Sequence, residues 1–262
     1  MQTVRAPAVA GLFYPADTAE LHAQVQQFLN QIQPSAEAPP KAIIAPHAGY
    51  IYSGPIAATV YARLRAARDR ITRVVLLGPS HRVGFRGIAA SGMTAFETPL
   101  GQIPVDQEAV ELARQVPDVG FLEQAHAQEH SLEVHLPFLQ EVLGPFKLVP
   151  LVVGEARPQQ VGAVLEALWG GPETLIVISS DLSHYQDYRT AQRMDRETSR
   201  AIETLRFEDI GYEQACGRNP VNGLLWVARR KNLHVETIDL RNSGDTAGPR
   251  DQVVGYGAYV CR

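Results

Sequence analysis

The stretch Ala42-Ile43-Ile44-Ala45-Pro46-His47-Ala48-Gly49-Tyr50 decides the fold. Four apolar residues in a row, with no polar alternation, read as a strand buried on both faces. Pro46 ends it, because proline has no amide to give to a sheet ladder. His47 therefore stands just past the carboxyl end of a core strand, the edge at which open α/β sheets bind ligands. The arrangement recurs. Arg73-Val74-Val75-Leu76-Leu77 is followed by Gly78-Pro79-Ser80-His81, and Leu175-Ile176-Val177-Ile178 by Ser179-Ser180-Asp181-Leu182-Ser183-His184. Three apolar strands each bring a histidine to an equivalent place, the pattern of a site built along one edge of a sheet.

The rest of the chain alternates helices with strands. Asp17-Thr18-Ala19-Glu20 reads as a capping box opening a helix with Leu21, Val25, Phe28, Leu29 and Ile32 on one face. Gly54-Pro55 is the expected start of a second helix. Met93 to Pro104, with Pro99 and Gly101, reads as a loop or hairpin. Leu148 to Val153 and Val253 to Val260 are further strands, and helices are expected after Asp106, from Pro158, from about Tyr188 to Leu205, and from Asn219-Pro220. No repeat or domain-scale linker interrupts the order. The expectation is one α/β domain over residues 1–262, with a largely parallel central sheet flanked by helices.

Composition excludes several function classes. The 262 residues are 45% hydrophobic and 20% charged, with net charge -4 and pI about 6.1. No basic stripe is present, so no nucleic-acid partner is expected. Arg63, Arg65, Arg68 and Arg70 read as a solvated helix face. No apolar run has the length of a membrane span. Two cysteines, Cys216 and Cys261, make neither a disulfide framework nor zinc spacing; Cys216 reads as an ordinary helix cysteine. Residues 1–7 carry no signal-peptide core, and a reducing cytoplasm is the expected location.

The chemistry lies in the histidines. Imidazole suits zinc, copper, iron and nickel, and two histidines with one carboxylate and open positions hold iron in non-haem oxygenases. Each loop histidine taken alone also suits a general base, or a ring satisfied by a backbone carbonyl. Two carboxylates compete for the remaining position: Asp181, three residues before His184, and Asp245, in the polar loop before the last strand. Each also suits a turn cap. In His126-Ala127-Gln128-Glu129-His130-Ser131-Leu132-Glu133-Val134-His135, a helix would put Glu129, His130 and Glu133 on one face. The spacing is not that of zinc proteases. Glu133 is read either as orienting His130 in one tautomer or as half of a buried ion pair between helix and sheet. His126 and His234 read as surface or packing residues.

Pro46-His47-Ala48-Gly49-Tyr50, Gly78-Pro79-Ser80-His81, Glu129-His130-Ser131-Leu132-Glu133-Val134-His135-Leu136-Pro137, Ser180-Asp181-Leu182-Ser183-His184-Tyr185, the Gly255-Tyr256 ending and Gly11-Leu12-Phe13-Tyr14-Pro15 together resemble the Memo family, nearly end to end. That family is similar in fold to LigB-type class III extradiol dioxygenases, which hold a mononuclear iron with two histidines and a carboxylate. The resemblance implies a metal held by His47 and His81, with His184 as a third pocket histidine. Eukaryotic members carry a cysteine in the loop before the last strand. Here that loop reads Asn242-Ser243-Gly244-Asp245-Thr246-Ala247-Gly248, so Asp245 is the expected ligand. A carboxylate would harden the site and favour Fe(II), with copper or zinc as alternatives. The implied activity is a dioxygenase-like oxidoreductase with His130 or His184 as proton shuttle; the alternative is a metal-containing module that binds a partner without turnover. The implied ligand is small and aromatic or peptide-like, with Tyr50, Tyr52, Phe85 and Tyr185 as ring-stacking residues. The prokaryotic AmmeMemoRadiSam association adds an AMMECR1-type protein and a radical-SAM protein as implied partners.

Overall fold

Side chains of a strand alternate between faces, so a strand buried at every residue must be covered on both. The strands Ala42–Ala45 and Thr174–Ser179 are buried at every residue, and Arg73–Pro79 at all but its first. The computed structural model describes residues 3–262. Its strands are β1 Val4–Arg5, β2 Ala42–Ala45, β3 Arg73–Pro79, β4 Ile88–Ala90, β5 Ala95–Thr98, β6 Gly101–Pro104, β7 Val119–Phe121, β8 Lys147–Val153, β9 Thr174–Ser179, β10 His184–Gln186, β11 Val235–Asn242 and β12 Val253–Cys261. Its helices are α1 Thr18–Asn30, α2 Tyr50–Tyr61, α3 Gln107–Arg114, α4 Glu123–Ala127, α5 Leu136–Val142, α6 Pro158–Ala167, α7 Tyr188–Glu203 and α8 Arg218–Arg230.

The central sheet runs β10-β12-β2-β9-β3-β8-β4-β7, with β11 added on β12. Its middle is parallel, β2 to β9, β9 to β3 and β3 to β8. Its flanks are antiparallel, β12 against β2 and β4 against β8. The register Ala45 opposite Ser179 and Leu77 opposite Ile178 brings the carboxyl ends of β2, β9 and β3 side by side. Three strands that each end in functional residues are thus immediate neighbours. Helices α2 and α7 pack over β11 and β12, and α8 over β9 and β3 beside α6. The predicted hairpin is β5–β6, and β1 pairs with β5 in a small separate sheet.

Asp17 caps α1 by accepting the amides of Ala19 and Glu20. The second helix differs from expectation. It begins at Tyr50, so Pro55 lies inside α2. The proline removes one intrahelical bond, a loss that this buried helix tolerates; nine of its residues, from Tyr50 to Tyr61, are buried.

A buried carboxylate fastens the N-terminal arm to this body. Glu133 is 1% exposed. Its two oxygens accept the guanidinium of Arg5, the amides of Ala8 and Val9 at 2.8 and 2.9 Å, and the Tyr14 hydroxyl at 2.6 Å. Arg5 also donates to the carbonyls of His126 and Glu129. Of the two readings of Glu133, the ion pair is the one found. It does not orient His130, because its oxygens are occupied by the arm. Removing one charge of such a pair leaves the other buried and unpaired, which costs about 3–5 kcal/mol. Glu133→Gln is therefore expected to lower unfolding free energy by that order in urea, with metal affinity little changed in the folded fraction. Arg5→Met added to Glu133→Gln should recover part of the loss; a Glu133→Gln protein as stable as the parent would exclude the strap role.

Candidate metal centre

The three strand ends converge as the register requires. His47 is 1% exposed. Its amide donates to Asp181 Oδ1 at 2.7 Å, which locks the loop after β2 to the loop after β9. Its Nδ1 lies 2.6 Å from Ser179 Oγ, and that hydroxyl donates its proton to the Ser131 carbonyl at 2.6 Å. Ser179 can therefore only accept from His47, so Nδ1 carries the hydrogen and Nε2 a bare lone pair.

Glu129 does the same for His81. One oxygen accepts the His81 amide at 2.6 Å; the other lies 2.8 Å from His81 Nδ1 and accepts the amides of His130 and Ser131 at 3.0 and 2.9 Å. Burial alone would raise the Glu129 pKa, but the His81 and amide hydrogen bonds hold it down at about 2. An ionised carboxylate on Nδ1 again leaves Nε2 as the free nitrogen. This carboxylate–histidine arrangement fixes the tautomer of a metal ligand.

Cys216 supplies the third donor. Its sulfur lies 3.4 Å from His47 Nε2. Donor atoms of His47, His81 and Cys216 all fall within 4.8 Å of one another. The loop carrying Cys216 seats on the end of β9 because Gly217 follows it; a Cβ there would meet the Ser179 carbonyl oxygen at 2.3 Å. That glycine, directly after a cysteine and ahead of a helix start, was the available sequence signal for this residue.

Asp245 does not join the cluster. Its carboxylate accepts the Tyr188 hydroxyl and the Asn242 amide, capping a short 3-10 turn. The donor group gathered beside the two imidazoles is instead a soft thiol from another loop. The physical reason is that the turn closes on itself, so both Asp245 oxygens are committed locally.

The remaining residues take supporting places. Asp181 Oδ2 is 3.9 Å from His47 Nε2. Burial pushes the Asp181 carboxyl up to about 6, against the opposing pull of His184, the His47 amide and His81. His130 stacks on His81 with centroids 4.6 Å apart and meets Phe13 at 4.8 Å, which places the N-terminal arm against the site. Burial lowers the His130 pKa to about 4, and its Nδ1 has no hydrogen-bond partner. The second cluster, His81, Glu129 and His130, has its carboxylate spent on amides and reads as support. His184 donates from Nδ1 to the Leu182 carbonyl at 2.8 Å and stays outside the donor cluster. Tyr185 beside it sits at φ +58° on a bulge against β12 and is 71% exposed. Tyr50, expected to stack on a ligand, is instead core, its hydroxyl on the Val134 carbonyl.

The donor set is two imidazoles and one thiol. Burial first, then the neighbouring histidines, drives the His47 pKa well below its usual value, so the ring is neutral. Burial and Asp181 push the Cys216 thiol well above its usual range. A cation would reverse that last direction, since a coordinating thiol is deprotonated outright. Neutral imidazole and thiolate together suit zinc, copper and iron.

The fold is a mixed α/β sheet whose carboxyl edge carries a group of side chains that could hold a metal ion. The comparisons give the family. The family model described as Memo-like protein matches residues 5–260, and the chain belongs to that family. A MEMO1 family protein of Aquifex aeolicus is 38% identical, with 97% of each chain covered. A MEMO1 family protein of Sulfolobus acidocaldarius is 33% identical, again over 97% of each. A solved structure of an uncharacterized Escherichia coli K12 protein aligns with a TM-score of 0.52 at 15% identity, covering 84% of this chain and 98% of that one, a likeness of fold alone.

Two predictions follow from the geometry. Glu129→Gln should weaken metal binding by about 10–100-fold, the usual effect of removing a histidine-orienting carboxylate. Cys216→Ala should also weaken it, and Asp245→Asn should leave it within about twofold; metal titration with a competing chelator measures all three, and metal loss in Asp245→Asn would restore the carboxylate assignment. The second prediction concerns acid. His126 and His135 are 1% exposed and held neutral by burial, with pKa values lowered to about 4 and about 3. The unfolded chain binds these protons at about pH 6.5 and the native state does not, so stability rises with pH across this window. Melting temperature should fall as pH drops from about 6.5 toward 4. His126→Gln should flatten that slope, and a slope unchanged by the substitution would remove His126 from it.

Proposed function

We propose that this Memo-like protein is a mononuclear metal enzyme of the oxygenase type, with His47, His81 and Cys216 as the protein ligands and Fe(II) as the working metal. The observation that carries the reading is the pair of histidines with Nδ1 engaged, one by Ser179 and the other by Glu129, and Nε2 free beside a cysteine sulfur. A structural zinc site is closed by four protein ligands, whereas three leave positions for small molecules. When bound, iron supplies one-electron chemistry with dioxygen and Lewis acidity toward a substrate oxygen. The likeness of the family fold to extradiol dioxygenases supports the same reaction class. Copper and zinc are the alternative occupants, and the thiol makes copper a closer rival than a carboxylate would have.

The chain's own groups handle protons. Asp181, with its carboxyl near pH 6, can exchange a proton at physiological pH. A general acid–base is most effective with such a value. Neutral His130, stacked on His81, keeps its Nδ1 3.4 Å from Glu129 Oε1. His184 holds its ring by the Leu182 carbonyl and faces the same loops. The substrate class is a small aromatic molecule with an ionisable oxygen.

One observation favours a second reading, a metal-containing module that docks a partner. Leu12, Ile51 and Tyr185 are 80%, 57% and 71% exposed, and they neighbour Phe13, Tyr50 and His184 in sequence. An AMMECR1-type protein and a radical-SAM protein are the partners for that reading. No described helix is long and apolar enough to cross a membrane. Both cysteines are free, which suits a reducing cytoplasm.

The test is anaerobic loading with Fe(II), then nitric oxide as a dioxygen mimic. A high-spin iron–nitrosyl EPR signal, shifted by prior addition of a catechol, is expected. Asp181→Asn should keep the signal and lower turnover by at least about 100-fold, the scale of a lost general acid–base. Stoichiometric iron with no nitrosyl signal would mean a filled coordination sphere and would favour the docking module.

A further inference from the structure

A cavity of about 710 Å³ lies apart from His47, His81 and Cys216. It lies one strand along the same sheet edge, where β8 ends at Val153 and antiparallel β4 begins after Gly87, between the first turns of α6 and α8. Its volume is that of a small-molecule site.

The charges on its wall are unevenly matched. Three carboxylates line it, and each already has a partner. Asp118 accepts the Gln160 amide, Glu155 the Tyr212 hydroxyl, and Glu208 both terminal nitrogens of Arg229. Three arginines line it too, Arg86, Arg157 and Arg218. Among the described residues none of them pairs with a carboxylate. Arg157 reaches only the Gln160 side-chain oxygen. Arg218 lies flat on the Tyr212 ring at 3.6 Å, and its Nε is buried with no partner.

A second unpartnered atom lies buried in the wall of the same cavity. Asn222 is 6% exposed; its Nδ2 donates to the Ile210 carbonyl, while its Oδ1 has no partner. Buried polar atoms are nearly always satisfied, so an unpartnered donor and acceptor lining one cavity call for a ligand that supplies both counterparts.

We propose that this cavity binds a small molecule bearing a phosphate or carboxylate, held by Arg86, Arg157 and Arg218, with a hydroxyl or amine that donates to Asn222. Guanidinium forks match both oxyanions in two-point geometry. Arg218 follows Cys216 by two residues, so the bound anion sits beside the metal centre on the same loop. The site does not depend on which metal is loaded.

The experiment is an NMR titration of the full chain, following arginine Nε–H and asparagine side-chain amide signals. The probes are inorganic phosphate and, separately, malonate, with sodium chloride matching the ionic strength. A saturable shift of Arg218 Nε–H and the Asn222 amide is expected with at least one probe and not with chloride. Phosphate alone saturating identifies a phosphoryl ligand; malonate binding more tightly identifies a carboxylate. Arg86→Gln with Arg157→Gln, both exposed positions that fold without their charges, should weaken binding at least about tenfold. Arg114→Gln, whose side chain pairs with Glu111 elsewhere, should not. No saturable shift with either probe up to about 50 mM, well past a millimolar Kd, would overturn the proposal. Equal affinity in the double variant would do the same.

Discussion

The site depends on one buried carboxylate, Glu129. It is 2% exposed, and burial by itself would make ionisation costly. Three backbone amides and one imidazole N–H converge on its two oxygens, and together they more than offset that cost. The two bonds from His81 join the loop after β3 to the loop before α5, and the one to its ring chooses the tautomer. Stability of the anion, position of the loop and availability of the nitrogen lone pair are therefore one event.

The other groups are tuned in the opposite sense. His47 is kept neutral, the Cys216 thiol is kept protonated, and Asp181 is pushed toward neutrality. Each direction follows from taking a charge out of water without an opposite charge nearby. A divalent cation would relieve the thiol and the carboxylate at once, and it needs a neutral imidazole, as burial already makes His47. The strap of Arg5, Glu133 and Tyr14 serves this centre indirectly: it holds the arm that places Phe13 against His130.

Much of this was legible in the residue pattern because it is local. An apolar run stopped by proline or glycine and followed by histidine is read within about ten residues, since period and breaker both act over that span. The strands, the caps at Asp17 and Asp106, and the placing of His47 and His81 at strand ends are of this kind. Pro55 misled because a proline marks both a helix start and a tolerated interior site, and burial decides between them. Glu129 and Glu133 were indistinguishable in the pattern: both are acidic, four apart and beside histidines.

By itself the sequence determined the strands, the helices, two histidines at the carboxyl edge of a parallel sheet, and membership of the Memo-like family. Only the tertiary structure decided which carboxylate serves the histidines and which residue completes the cluster. Cys216 is 169 residues from His47, and Asp181 is 134. No periodicity spans such distances. The strand order β2-β9-β3 sets which loops meet, and Gly217 sets how closely one of them approaches. Asp245 was left out by a bond to Tyr188, itself 57 residues away, that no local pattern contains.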